Sequence, residues 1–299
     1  MHAGVLLVDK PGGMTSHDVV SRARRALGTR KIGHAGTLDP MATGLLILGV
    51  EGATRLLTYL VGLDKTYLAT IRLGVATTTD DAEGEIVDVA EPAAVSGASD
   101  ELITQGIAAL TGEISQVPSS VSAIKVNGRR AYDLARAGEQ VELRARAVTV
   151  SRFEVLETRR HADAVELDVV VDCSSGTYIR ALARDLGNTL GIGGHLTALR
   201  RTRIGRFDVS ESVTADAIAA EAMLAPAEAA ARAVGRIDVT AEEARDLRHG
   251  KRLDGAAARL SGAVAAAIDP EGRLVGIVEA RGSALKSAMN VSETQGEPA

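Results

Sequence analysis

Asp39 stands in "KIGHAGTLDPMATGLLILG" (Lys31 to Gly49), where Gly33, Gly36 and Gly44 surround it just ahead of an apolar strand. A carboxylate there could serve as a nucleophile or a base, and glycines let a ligand come close to the backbone. Ordinary turn chemistry accounts for the same residues, since Gly and an Asp-Pro step also mark surface turns. Other chemistry-bearing side chains stand apart: Lys10 in "DKP", Tyr67 in "DKTYLA" and Arg180 in "GTYIRAL". The histidines are scattered and Cys173 is the only cysteine, so no metal-ligand spacing is present. A serine nucleophile elbow, a phosphate-binding glycine loop with its Lys-Ser/Thr and a glycosidase-type carboxylate pair are also missing. "GHAGTLDPMATG" lacks the glycine spacing and preceding strand of a dinucleotide site. One carboxylate on a glycine-built loop remains, with Lys, Tyr and Arg motifs elsewhere.

Charge distribution says more than the net charge of −5. From Leu73 to Ile124 there is no Lys or Arg, against nine acids. Basic residues gather in "RARRALGTRK" (Arg22 to Lys31), between Lys125 and Val148, and in "RRTRIGR" (Arg200 to Arg206). Folded together, these runs would make a basic face on an acidic protein; apart, they are solvated helix faces. Three of the four tyrosines, Tyr67, Tyr132 and Tyr178, sit beside basic or Gly-rich stretches, a placement that suits base stacking as well as snorkelling.

The elements that must position these residues follow from pattern. Gly4 to Val8 predicts a strand, "DKPGGM" a turn, and Thr15 or Ser16 the cap of a helix through Leu27 with Gly28 as its stop. The Asp39 stretch is expected as a loop leading into the strand Leu45–Val50. "EGATRLLTYL" predicts a short helix, "TYLATIRLGV" a strand, and "TTTDDAEGEIVDV" a polar turn into another strand. Ser99 predicts the cap of a helix ending near Gly112. "SSVSAIKVN" reads as a strand and "GRRAYDLARAG" as a short basic helix. "AVTVSRFEVLE" and "DAVELDVVVDCS" read as strands, and "TYIRALARDLGNTLG" repeats apolar residues at helical spacing. "GGHLTALRRTRIGRF" reads as a strand. An Ala/Glu-rich stretch over 213–236 is expected as a helical connection. A second unit from Ile237 holds one helix, short strands and a "DPEG" hairpin turn. The tail 293–299 is expected to be disordered. Strands and helices mix without βαβ alternation, which predicts an α+β fold.

A length of 299 residues suggests about two domains at ~100–200 residues each. No stretch approaches the roughly 18–20 apolar residues of a membrane span, and the N-terminal apolar run is too short for a signal peptide. A single cysteine fits a reducing cytosol, so a soluble cytoplasmic protein is expected.

Five motifs, "LLVDKPGGMTSHDVVSRARR", "KIGHAGTLDPMATGLLILG", "ATRLLTYLVGLDKTYLATIRLG", "VPSSVSAIKVNGRRAYDLARAGE" and "DCSSGTYIRALARDLG", resemble in order and spacing the bacterial tRNA pseudouridine-55 synthases, the TruB family. The resemblance covers residues 4–206. "AIDPEGRLVGIVEARGSALKSAMNV" is more weakly similar to the end of a PUA-type RNA-binding domain. The family implies a catalytic domain over 1–212 with a mixed, mainly antiparallel sheet flanked by helices, an RNA-gripping insertion at about 120–150, and a PUA-like β-rich domain over 237–292. It implies isomerisation of uridine 55 in the tRNA T-loop to pseudouridine without metal or organic cofactor. Partners follow suit: the tRNA T-arm, no membrane, no obligatory protein partner and a monomer.

Site residues follow motif by motif. The resemblance makes Asp39 the nucleophile on a flipped-out uridine, attacking C1′ or C6 or starting a glycal route. Arg180 would pair with Asp39 and keep it ionised; without the resemblance it reads as a helix-surface Arg beside Asp185. Tyr67 would stack on the target base, and His34 would enter the space that base leaves. Lys10 would support the active-site loop or touch RNA, and Leu199 would line the uracil pocket. Lys125, Arg129, Arg130, Tyr132, Arg136 and Tyr178 would contact RNA. This chain departs from the pattern at Val121, where the family usually has Tyr, and at Thr78, which replaces an Asp. The C-terminal unit is poor in Lys and Arg. Two other readings stay open: an RNA-binding or tRNA-folding protein whose chemistry is incidental, and an RNA-guided relative working inside a ribonucleoprotein.

Overall fold

The computed structural model describes residues 3–119, 125–126, 129–130 and 143–291. They form two compact units. One holds the chain up to Pro40, Gly44–Leu63 and everything from Arg203; the other holds Met41–Thr43 and Asp64–Thr202.

In the first unit the strand Gly4–Lys10 runs antiparallel to Thr43–Val50, with Gly4 opposite Val50 and Lys10 opposite Gly44. Its apolar run is continuous because both faces are covered. Leu6 and Val8, with Leu46 and Leu48, pack on the helix Ser16–Leu27 through Val19, Val20, Ala23 and Leu27. Val5 and Leu7, with Leu45 and Ile47, belong to a second cluster on the opposite face. Truncating one of these buried leucines to Ala costs about 2–5 kcal/mol. Thr15 caps the helix: its hydroxyl accepts from the Asp18 amide while the Asp18 carboxylate accepts from the Thr15 amide. Gly28, at φ 64°, ends it.

The second cluster continues through Phe207 and through Ala229 and Ala230 of the helix Pro226–Val234 to Ala266, Ile268 and Ile277. Those last residues belong to a four-stranded sheet ordered Arg236–Asp238, Val264–Ile268, Leu274–Arg281, Ala284–Asn290. Its first pair is parallel and the others antiparallel. "DPEG" makes the expected turn, where the Asp269 carboxylate accepts from the Arg273 amide at 2.8 Å. The helical expectation for 213–236 holds for the α-helix Pro226–Val234 and a single 3-10 turn at Ala220–Ala222. Val213 and Thr214 instead add a parallel strand beside Val8 and Asp9. Ladder bonds to an open sheet edge there override the helix propensity of the Ala/Glu composition.

In the second unit the hydrogen-bonded strand order is Gly194–Ile204, Lys65–Leu73, Val165–Cys173, Arg146–Arg160, Gly112–Gln116. The three pairings from Lys65–Leu73 through Val165–Cys173 and Arg146–Arg160 to Gly112–Gln116 are antiparallel. The helix Ile179–Thr189 buries Ile179, Leu182, Ala183 and Leu186 of the five residues its spacing nominates; the fifth, Leu190, is the half-buried residue that ends it. Ser99 caps the helix Asp100–Ala109. A short hairpin pairs Val75–Thr77 with Ile86–Val89. Lys125–Val126 pairs with Arg129–Arg130, so these arginines sit on a strand and not at the start of the expected helix. Ser119, where that expected strand begins, is in no regular element; the rest of the expected strand and helix, Val121 and the tail lie outside the described residues. The fold is α+β, with mixed but mainly antiparallel sheets and a C-terminal β-rich part, as the sequence implied. Among the described residues no helix is long and apolar enough to cross a membrane.

Candidate active site

Asp39 lies in the connection between two paired strands, Ile32–Ala35 and Thr43–Val50. The first of these was expected as loop. Gly33 faces Gly49 across the pair, and a Cβ on Gly49 would fall 2.8 Å from the Ala53 carbonyl oxygen. Glycine here allows a close packing that pattern reading misses. Gly36 and Gly44 hold φ 83° and 102°, values that L-residues avoid, and they bracket the turn.

The residues on either side of Asp39 are fixed by different groups. Leu38, buried, donates its amide to the Ser16 hydroxyl at 2.9 Å, and that hydroxyl donates to the Leu38 carbonyl at 3.1 Å. The Pro40 carbonyl accepts from the Gly13 amide at 2.9 Å and from Lys10 Nζ at 3.2 Å. Lys10 is fully buried and also donates to the carbonyls of Pro11 and Met14, at 2.9 and 2.6 Å. Of the two parts expected of Lys10, this geometry suits loop support. Asp39 itself is half-buried. Ser16 had been weighed only as a helix cap; no local signal marks its long-range pairing. His34 sits on the strand Ile32–Ala35, opposite Leu48 and half-buried.

Arg180 is in the first turn of the helix Ile179–Thr189 and almost fully buried. Its Nη1 donates to the Thr79 carbonyl at 2.8 Å and to Asp81 Oδ2 at 3.1 Å. Asp81, equally buried, also accepts from the Thr79 hydroxyl at 2.5 Å and from the Glu83 amide at 3.1 Å. The acidic turn thus locks an arginine in place. Arg184, one turn on, is the residue that reaches Asp185, at 2.9 Å, along with Asp80 at 3.1 Å. Burial raises the Asp185 carboxyl above the usual range, with Asp80 adding to it and Arg184 opposing. Thr78, the departure from the family pattern, closes the hairpin by exchanging bonds with Glu85. Tyr178 precedes this helix, and the buried Gln116 side chain grips its backbone, accepting from its amide at 2.8 Å and donating to its carbonyl at 3.0 Å.

Tyr67 and Leu199, each 7% exposed, lie on adjacent strands of the second unit. The basic run around Leu199 is no solvated face, because Arg201 is 1% exposed and Arg203 donates to the Gly205 carbonyl at 2.7 Å. Lys125, Arg129 and Arg130 fall on the short strand pair; Tyr132 and Arg136 lie outside the described residues.

Comparison with known proteins decides what these motifs belong to. A family model described as "TruB family pseudouridylate synthase (N terminal domain)" matches residues 24–179, more than half the chain. The chain belongs to the TruB family. As a TruB-family protein it is a pseudouridine synthase, and two further models, for tRNA pseudouridylate synthase B and tRNA pseudouridine synthase II C-terminal parts, match residues 180–239 and 235–292. A tRNA pseudouridine synthase B of Leifsonia xyli is 59% identical over 290 residues, covering 96% of each chain. One from Nocardia farcinica is 59% identical over 281 residues, 93% of this chain and 90% of that one. Among solved structures, a Cbf5-Nop10-Gar1 complex matches at TM-score 0.65 and 26% identity, covering 99% of this TruB-family chain and 81% of the other. An H/ACA ribonucleoprotein bound to a substrate RNA containing 2'-deoxyuridine shares the fold at TM-score 0.69 and 24% identity, with 96% and 84% covered.

Proposed function

We propose that this chain isomerises uridine 55 in the T-loop of tRNA to pseudouridine, with Asp39 as the nucleophile on a flipped-out uridine. The observation that carries the reading is the Asp39 loop, clamped through Leu38 by Ser16 and through Pro40 by Gly13 and Lys10. Such clamping pre-orients one carboxylate, which is what a reaction without water addition needs. The C1′–N1 bond breaks, the uracil turns, and a C1′–C5 bond forms while the C5 proton is lost and N1 regains one. Near-full-length relatives named tRNA pseudouridine synthase B support tRNA as the substrate.

In this reading Tyr67 stacks on the target base, Leu199 lines the uracil pocket, and His34 fills the space the base vacates. Arg180, held by Asp81, is the counter-ion of the reacting carboxylate. Lys10 is a positioning residue, while Lys125, Arg129, Arg130, Tyr132, Arg136 and Tyr178 grip the RNA. Extruding the base costs a few kcal/mol, which these contacts supply. The domain reading, with a PUA-like RNA-binding part over 237–292, and action as a cytoplasmic monomer without protein partner or cofactor, belong to the same proposal. Tritium release from a T-arm stem-loop carrying [5-³H]uridine tests it. Asp39→Asn is expected to release none while its RNA Kd stays within about threefold; release at the wild-type rate would remove Asp39 from the mechanism.

A further inference from the structure

The start of the helix that carries Arg180 is held from a distant strand. Its cap residue, Tyr178, has an extended backbone (φ −103°, ψ 107°) and makes no capping bond with its own side chain. An extended residue turns its amide and its carbonyl to the same side, which is how strands exchange paired bonds. The Gln116 carboxamide meets that edge as one rung of a ladder. Its Oε1 accepts from the Tyr178 amide at 2.8 Å, and its Nε2 donates to the Tyr178 carbonyl at 3.0 Å. A carboxamide offers that donor and acceptor side by side without a charge. The same carbonyl accepts from the Leu182 amide at 3.2 Å, a bond that opens the helix. Gln116 is 2% exposed and ends the strand Gly112–Gln116, 62 residues before Tyr178 in the chain. The next residue is tied as well: the Val117 carbonyl accepts from Arg184 Nη2 at 2.7 Å. Two ties therefore bracket Arg180, Gln116 to Tyr178 before it and Val117 to Arg184 after it. Arg180 is buried and bonded to the Thr79 carbonyl and to Asp81. In such close packing a shift of the helix start carries the guanidinium with it.

We infer that Gln116 is a positioning residue for the isomerisation: by pinning the Tyr178 backbone it fixes the helix start and, with it, the guanidinium of Arg180. The inference rests on the isomerase reading above, in which Arg180 is the counter-ion of the reacting carboxylate. Misplacing a group at the reacting centre by about 1 Å costs up to about 100-fold in rate. Gln116 acts through backbone and not on RNA, so its loss belongs to the chemical step and not to affinity.

The test measures single-turnover pseudouridine formation in a T-arm stem-loop, together with RNA Kd, well below the thermal midpoint of each variant. Gln116→Met keeps the length of the side chain and lacks both polar groups. It is expected to slow the step about 10- to 100-fold while Kd stays within about threefold. Gln116→Glu keeps an acceptor for the Tyr178 amide but sets a carboxylate oxygen against the Tyr178 carbonyl. It should also slow the step, and it carries the test if the first variant does not fold. A third arm asks whether the effect runs through Arg180. Asp81 holds the same guanidinium, so Asp81→Asn combined with either Gln116 variant should cost clearly less than the two single losses multiplied. A folded Gln116 variant at the wild-type rate, a loss of affinity that matches the loss of rate, or losses that multiply would each overturn the inference. Failure of the isomerase reading looks different, as turnover that survives Asp39→Asn.

Discussion

Ser16→Ala tests the account of the Asp39 loop with the smallest change of shape. The substitution removes one oxygen that accepts from the Leu38 amide at 2.9 Å and donates to the Leu38 carbonyl at 3.1 Å. Ser16 and Leu38 are each 3% exposed, so water does not replace the bonds. A buried backbone group left unpaired costs about 1–3 kcal/mol. Two such groups give about 2–6 kcal/mol, and crediting alanine with roughly 0.5 kcal/mol of better helix propensity leaves about 1.5–5.5 kcal/mol. The cost falls on the loop, so the local opening equilibrium should shift by about 10-fold or more. Hydrogen exchange of the Leu38 amide reads this directly, without assuming that a chain of two units unfolds in one step. Single-turnover pseudouridine formation should fall about 10- to 100-fold, because loosening a reacting carboxylate by about 1 Å has that effect. Unchanged Leu38 exchange together with wild-type turnover would refute the clamp.

Asp81→Ala leaves Arg180 buried without this carboxylate partner, so we expect a loss of about 3–5 kcal/mol, as for other broken buried pairs; a thermal midpoint equal to wild type would contradict it. In the C-terminal sheet, burial works to raise the Asp269 carboxyl, but hydrogen bonds from Arg248 and Arg273 together outweigh it and hold the group below the usual range. Its stabilisation is therefore present above the ordinary carboxylate range and lost as pH falls through the depressed value; Asp269→Asn should destabilise at pH 7, with the difference shrinking in acid, in paired urea titrations. Burial pushes the Cys173 thiol up to about 11. Iodoacetamide at pH 8 should leave the folded chain unmodified and label it in urea, as mass spectrometry will show.

What was legible in the sequence followed from local rules. The Thr15 capping box, the Ser99 cap, the Gly28 stop and the "DPEG" turn each depend on residues a few positions apart, and each formed. The periodicity of Ile179, Leu182, Ala183 and Leu186 named the buried side of its helix. The unread parts are long-range. Ser16 meets Leu38, Arg180 meets Asp81 and Gln116 meets Tyr178, pairings made by tertiary folding and invisible to spacing. The strand Ile32–Ala35 escaped because its glycines look like turn residues until Gly49 is placed opposite Gly33. The Ala/Glu-rich run misled in the other direction: composition favoured helix, and sheet pairing took Val213 and Thr214. Burial of Arg201 inside "RRTRIGR" was likewise hidden, since a basic run carries no sign of which side chain turns inward.

The central claim, a uridine-55 isomerase using Asp39, meets its most direct test in pseudouridine mapping. Purified protein would be incubated with an unmodified T-arm stem-loop RNA in EDTA, and pseudouridine located by carbodiimide labelling and primer extension. The account predicts a single stop at the T-loop uridine with wild type and none with Asp39→Asn. RNA that binds wild-type protein yet shows no stop would contradict it, and would leave an RNA-binding protein whose carboxylate does no chemistry.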